Sequence, residues 1–117
     1  MQLEEKLTAL LRSICPSSFA DYAPINTGVP YVVWQQIGGA SLTFLDPTLP
    51  NKRNAWVQID VWCATRAEAS ALMLQIEAAL VAATDMQATP MAAMTNDFDS
   101  DSGRRGCRQD FDIWADR

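Results

Sequence analysis

The sequence predicts an α+β domain in which two helices pack on one sheet of roughly four strands, mixed or antiparallel. Apolar residues alternate along four segments, as in half-buried strands, and recur every three or four residues along two others, as in amphipathic helices. The six segments follow one another in the order α-β-β-α-β-β. Because 117 residues suffice for one core, we expect a single domain over 1–117 with a long mobile loop at about 38–54.

The first helix is predicted near the N-terminus, where apolar residues share one helical face. Those residues are Leu3, Leu7, Leu10, Leu11 and Ile14. Pro16 ends this helix because its ring clashes with the preceding turn and it has no amide hydrogen to donate. A polar connection leads to the first strand, Tyr31 to Ile37, which begins after Pro30 and is released by Gly38 and Gly39.

The second strand passes directly into the second helix. Apolar residues alternate with polar residues and tryptophans from Ala55 to Cys63, which is typical of a strand with one buried face. Thr65 stands three residues before Glu68, the spacing of a capping box, so a helix is expected from Arg66 to about Thr84. Its apolar stripe is formed by Ala69, Leu72, Met73, Ile76, Ala79 and Leu80.

Two further strands are predicted near the C-terminus. A weaker strand runs from Gln87 to Met94, interrupted or edged by Pro90, and the last strand has an apolar inner face formed by Cys107, Gln109, Phe111 and Ile113. The acidic segment 97–103 lies between them. It resembles the start of an EF-hand loop, but the glycine comes one place late and Arg108 occupies the position of the bidentate glutamate. We therefore expect a solvated turn reversed by Ser102 and Gly103.

The composition argues against catalysis and against the binding of metals, cofactors and nucleic acids. There is no histidine, which removes the usual catalytic triads and histidine-bound zinc, and only two lysines. We predict no enzyme activity, no metal and no cofactor. A net charge of −5 with only small basic clusters argues against specific nucleic-acid binding. No segment is apolar enough for a membrane span or a secretion signal, and the three separated cysteines are expected to be packed, reduced thiols.

Asp60 and the tryptophans are the candidate functional residues in the strands. Asp60 is expected to pair with an arginine of a neighbouring strand such as Arg108 rather than to act as a general base. Regular alternation places four tryptophans on the more polar side of the sheet: Trp34, Trp56, Trp62 and Trp114. Such a face resembles an interface. The alternative, weighed equally, is that the first helix or the long loop covers it within the protomer.

The long loop at 38–54 raises the same question. It is too long for a simple connection and carries Phe44, Leu45 and Leu49 among polar and proline residues. It is either an arm that docks on a neighbouring molecule or a hairpin extension that packs on its own domain.

Three segments resemble a known family: PYVVWQQIGG at 30–39, VQIDVWCATRAEA at 57–69 and RQDFDIWAD at 108–116. Together they resemble the small tail completion proteins of tailed phages, the tail terminators similar to minor tail protein U of lambdoid phages. The resemblance implies a virion tail protein, assembled in the host bacterial cytoplasm, that ends the tail tube and joins tail to head as a ring, a hexamer. The implied partners are further copies of itself, the tail tube protein and a head–tail connector protein.

Two alternatives to a tail terminator remain open from the sequence. The near one is a head–tail connector, or neck, protein of the same particle. The distant one is a small ligand-binding or carboxylate-dependent hydrolytic domain. For the assembly role, the residues predicted to contact neighbouring copies or the tube are Trp34, Phe44, Leu45, Leu49, Arg53, Trp56, Trp62 and Arg108.

Overall fold

The computed structural model describes residues 2–41 and 51–116. In these residues two helices and six strands form in the order α1 (Leu3–Ile14), β1 (Ser18–Ala20), β2 (Tyr31–Gly38), β3 (Lys52–Cys63), α2 (Arg66–Ala82), β4 (Thr89–Pro90), β5 (Thr95–Asp99) and β6 (Arg104–Asp116). The six strands form one mixed sheet, and the predicted α+β class is confirmed.

The sheet is organised around its two longest strands, β3 and β6. These strands pair antiparallel along nearly their whole length, from Lys52 opposite Asp116 to Cys63 opposite Arg105. β2 pairs antiparallel with the other edge of β3, and β1 pairs parallel with β2. β4 and β5 both pair with β6, at different positions along it. Most of the surface that the helices cover is therefore provided by β3 and β6.

The structure has six strands where about four were predicted. β1 was missed because three residues are too few to show alternation; the buried Ser18 hydroxyl donates to the carbonyl of Cys15 at 2.7 Å. The single strand predicted over 87–94 is wrong. Within that segment only Thr89–Pro90 forms a strand, β4, and the next strand, β5, begins after it at Thr95. Pro90 ends β4, consistent with its inability to donate to a ladder.

β3 begins at Lys52, three residues before the start predicted near Ala55. Asn54 is a sheet residue with 6% of its surface exposed. Its side-chain oxygen accepts from the amide of Ala40 at 2.7 Å, and its nitrogen donates to the carbonyl of Ile113 at 3.1 Å. Phe44, Leu45 and Leu49 lie outside the described residues.

Both helices pack on the same face of the sheet. The indole nitrogen of Trp34 on β2 donates to the hydroxyl of Thr8 on α1 at 3.1 Å, and the side-chain nitrogen of Gln109 on β6 donates to Glu77 on α2 at 2.7 Å. The residues buried between helices and sheet include Leu3, Leu7, Leu11, Val32, Val57, Ile59, Val61, Ala69, Met73, Ile76, Leu80, Phe111 and Ile113. The domain thus has two layers, helices on one side and sheet on the other.

Two local signals predicted from the sequence are confirmed. The hydroxyl of Thr65 accepts from the amide of Glu68 at 3.2 Å and caps α2. Gly103 has a φ of +73°, and its amide donates to the carbonyl of Asp99 at 2.8 Å, which reverses the chain between β5 and β6. A positive φ is favourable for glycine because it has no Cβ.

Candidate functional site

The face of the sheet turned away from the helices carries a band of aromatic and polar side chains. We call this surface the open face. Its residues on β2, β3 and β6 are Tyr31, Val33, Gln35, Trp56, Gln58, Asp60, Trp62, Arg108, Asp110, Asp112 and Trp114, as the strand register requires. They are partly or largely exposed, and 39% of the Trp56 surface is accessible. Three of the four tryptophans therefore share a surface that solvent reaches.

Two of these tryptophan rings lie next to glycines of the neighbouring strands. A Cβ built on Gly38 of β2 would stand 2.8 Å from the six-membered ring of Trp56, and one on Gly106 of β6 would stand 3.0 Å from that of Trp62. The missing side chains therefore give the rings room to spread sideways from β3 over both neighbours. A larger residue in place of Gly38 would have to displace the Trp56 ring.

One pair of opposite charges lies at the centre of the open face. Asp60 and Arg108 are directly opposite on β3 and β6, and their side chains form an ion pair of 2.8 Å between Nε and Oδ1. The hydrogen bond that Arg108 donates to Asp60 and the charge of this carboxylate raise the pKa of the Arg108 guanidinium above its ordinary value. The predicted pairing of these two residues is confirmed. Such a cross-strand pair holds register in a sheet.

The predicted position of Trp34 is wrong. Trp34 lies opposite Ile59, so its side chain points to the helix side of the sheet, and only 5% of its surface is exposed. The alternation along β2 was read correctly, but its two faces were exchanged. The apolar Tyr31 and Val33 lie on the open face, while Trp34 is covered by α1 and satisfies its indole N–H there.

Arg53 is also engaged within the protomer. It lies opposite Ala115 on the helix side of β3. Its guanidinium donates to the Glu4 carboxylate at 2.7 Å and to the Gln36 side-chain oxygen at 2.9 Å. Arg53 thus joins β3 to the first turn of α1 and to β2, apart from the open face.

A second exposed apolar surface lies on α2, on the side opposite its buried stripe. Sequence reasoning missed it. We call it the outer stripe; its residues are Ala67, Ala71, Leu74, Ala78 and Val81. Leu74 and Val81 are each 56% exposed. The signal was present as spacings of four, three, four and three residues, which place all five on one side of a helix.

Comparisons with known proteins identify the family of the chain. The family model described as tail completion protein gp17 matches residues 4–116. The chain belongs to this family. It is therefore a phage tail protein that takes part in virion assembly and is located in the virion tail.

A solved structure and a search of curated sequences complete the comparisons. The fold is similar to that of a chain in the virion of a native gene transfer agent particle, with a TM-score of 0.60 and 17% identity. The alignment covers 93% of this chain and 86% of that one. No curated protein sequence matches significantly.

Polar groups in the acidic turn of this tail completion protein serve local structure. In the acidic turn, Asp99 accepts from the hydroxyl of Ser102 at 2.8 Å, and this bond lowers the pKa of the Asp99 carboxyl. Among residues 2–41 and 51–116, no group of three or more cysteine, aspartate and glutamate side chains converges as a metal site. In the same residues no helix has the length and hydropathy of a membrane span.

The three cysteines are buried free thiols, as predicted. Burial raises the pKa of the Cys63 thiol to about 11, with a smaller effect of the nearby Glu68 carboxylate. Since the thiolate is the reactive form, Cys63 is poorly suited to nucleophilic chemistry near neutral pH.

Proposed function

We propose that this tail completion protein terminates the tail tube and joins the tail to the head as a closed ring of copies, with six copies as the resemblance to tail terminators implies. The observation that carries the proposal is the open face. It presents accessible tryptophan side chains, with 39% of the Trp56 surface exposed, beside an ion pair of Asp60 with Arg108. Large aromatic side chains at an accessible surface, with charges that fix register, are typical of protein interfaces.

A ring of this kind ends the tube by occupying a surface. One rim of the ring binds the last ring of tail tube protein, where the next tube ring would otherwise add. The other rim binds the head–tail connector protein. Both partners are macromolecular surfaces of the same particle, so the protein needs contact area and geometry rather than a reaction centre.

The predicted contact residues divide into three groups under this proposal. Trp56, Trp62 and Arg108 belong to the open face and form part of the interface. Phe44, Leu45 and Leu49 remain a predicted contact arm outside the described residues. Trp34 and Arg53 are bound within their own protomer, and we leave them out of the interface.

We propose further that the protein acts without catalysis. The carboxylate of Asp60, the residue most suggestive of acid–base chemistry in the sequence, is paired with Arg108 on the surface of two paired strands. Asp60→Asn should therefore leave the fold intact and change assembly only modestly. A complete loss of function with normal assembly would instead indicate a catalytic aspartate.

The test of the proposed function is removal of the gene followed by measurement of tail length. Without a terminator, polymerisation of the tube does not end at the normal length, so electron micrographs should show overlong tails and tails without heads. Complementation with the native chain should restore normal tails, and the variant Trp56→Ala with Trp62→Ala should restore them incompletely.

Two other outcomes would contradict the terminator role. Tails of normal length that fail to join heads would assign the protein to the neck, as a head–tail connector. Tails of normal length joined stably to heads would reject both roles.

In solution, light scattering across a concentration series should show monomers at low concentration and closed rings at high concentration, or after addition of tube protein. A chain that stays monomeric and never binds tube protein would reject the proposal.

A further inference from the structure

The two exposed apolar surfaces of the protomer face in opposite directions. α2 packs on one side of the sheet through Ala69, Met73, Ile76 and Leu80, so its outer stripe points away from the sheet. The open face lies on the far side of the same sheet. A two-layer domain therefore carries an uncovered helix surface on one side and an uncovered sheet surface on the other.

The outer stripe has the character of a buried helix face. A helix at the surface of a soluble protein normally shows polar residues on its outer side. On α2 the five outer positions are three alanines, Leu74 and Val81, without a charged residue among them. From Ala67 to Val81 the stripe extends over ~21 Å at ~1.5 Å per residue. Alanines at three of the five positions allow a flat surface to approach the helix closely.

The open face offers such a helix aromatic side chains next to paired ions. The six-membered rings of Trp56 and Trp62 lie next to Gly38 and Gly106, where no side chain separates them from the neighbouring strands. Four of its charged residues are paired within the sheet, Asp60 with Arg108 at 2.8 Å and Lys52 with Asp116 at 2.7 Å, whereas Asp110 and Asp112 on β6 form no ion pair with the described residues. An uncharged helix can cover ions that already have partners at a lower cost than it can cover unpaired ions.

We propose that the outer stripe of α2 in one copy packs on the open face of the next copy. This inference rests on the proposed ring and names the two surfaces that form it. Each copy would then have its sheet covered by helices on both sides, its own on one face and its neighbour's on the other. Because the two contacting surfaces differ, the contact is head-to-tail and can repeat until the ring closes.

The size of the outer stripe explains why closure matters. A strip of ~21 Å by ~10 Å has a footprint of ~200 Å², taking a helix diameter of roughly 10 Å. A stable protein pair usually buries about 800 Å² on each partner. One such contact is therefore weak, and a closed ring gains stability because every copy makes two contacts. This predicts monomers in dilute solution and rings with few intermediates at higher concentration.

Cross-linking between engineered cysteines tests the pairing of the two surfaces. One chain carries Ala78→Cys in the middle of the outer stripe, and a second carries Gln58→Cys in the middle of the open face. The native thiols Cys15, Cys63 and Cys107 are buried, so a short bismaleimide should join only the new ones. At a concentration that supports rings, we expect cross-linked dimers when the two chains are mixed, at least tenfold more than from either alone. A chain with both substitutions should give a ladder up to the ring.

The control chain carries Ala9→Cys on the exposed side of α1 and should give no product with the Gln58→Cys chain. Circular dichroism verifies that each variant is folded. Dimers from the Ala78→Cys chain alone would indicate helix–helix contact, and dimers from the Gln58→Cys chain alone would indicate sheet–sheet contact. Either result overturns the inference. Rings without a cross-link in the mixture would overturn this pairing and leave the proposed function standing, whereas absence of rings from the native chain would reject the proposed function itself.

Discussion

The two helices are alike on the side that packs on the sheet and different on the outer side. Leu7 and Leu11 of α1 are as fully buried as Met73 and Ile76 of α2. On the outside, α1 exposes Glu5, Arg12 and other polar residues, which is the usual pattern of a surface helix. The outer side of α2 is apolar over four turns.

This difference distinguishes the helix residues that stabilise the protomer from those that remain available for assembly. α1 shows that one apolar stripe is enough to attach a helix to this sheet. The second stripe of α2, with Leu74 and Val81 each 56% exposed, adds nothing to the core of the protomer. Under the proposed pairing, this apolar surface contacts the neighbouring copy.

The largest effect on stability is expected from the buried stripes, where the helices should behave alike. Leu7→Ala on α1 and Ile76→Ala on α2 each remove a side chain with no exposed surface. Each substitution should lower the free energy of unfolding by about 2–5 kcal/mol, from lost burial and the cavity left behind. Urea denaturation measures the loss. A cost below about 1 kcal/mol for either variant would show that its helix is not an equal part of the core.

The next effect should appear in assembly and should distinguish the helices. Leu74→Glu places a carboxylate in the outer stripe of α2, and Ala9→Glu places one on the exposed side of α1. Both should change the free energy of unfolding by no more than about 0.5 kcal/mol. Leu74→Glu should weaken ring formation at least tenfold in light scattering, while Ala9→Glu should leave it unchanged. Equal effects of both substitutions would remove the distinction drawn between the two outer surfaces.

A smaller effect is expected at the helix starts. α2 is capped by the Thr65 hydroxyl at 3.2 Å from the amide of Glu68, whereas Gln2, the first flanking residue of α1, makes no side-chain cap. Thr65→Ala should therefore lower the free energy of unfolding by about 1 kcal/mol. Gln2→Asp should raise it by up to about 1 kcal/mol, because aspartate can cap the helix and favours its positive end. Thermal unfolding of the two variants measures both changes, and a destabilising Gln2→Asp would contradict this account of α1.

The last effect appears only at high pH and concerns the thiol just before α2. Burial raises the pKa of Cys63 from 9.0 to about 11. Its neutral form is thus favoured in the folded state, and this contribution to stability is complete below pH 9 and lost as the pH rises through 11. The free energy of unfolding should fall over this range, and Cys63→Val should reduce the slope. If Cys63→Val leaves the slope of the free energy of unfolding against pH unchanged, other groups cause the loss of stability.

Much of the fold could be predicted because strong local signals agreed with the tertiary structure. The alternation in β3 and β6, the cap at Thr65 and the turn at Gly103 each depend on a few neighbouring residues. The pairing of Asp60 with Arg108 followed once two neighbouring strands were placed side by side. The open face was predicted correctly for Trp56, Trp62 and Trp114, since their strands have one clearly apolar side.

The errors occurred where local signals were short or ambiguous. β1 and β4 have three and two residues, too few for any period to be recognised. In β2 both alternating sets contain large apolar residues, so the sequence could not decide whether Trp34 or Val33 faced the helices. α2 has apolar residues on two sides, and only the buried stripe was recognised from the sequence.

The sequence by itself determined the α+β class, the helices, the long strands and the resemblance to tail completion proteins, because these depend on the spacing of residues close together in the chain. Only the tertiary structure decided which side of each element is covered. The register of Trp34 with Ile59 placed that ring under α1, and the packing of both helices on one face left the other face open. Burial is a property of contacts between distant segments, so the two surfaces of this protomer became apparent only when the helices and the sheet were in place.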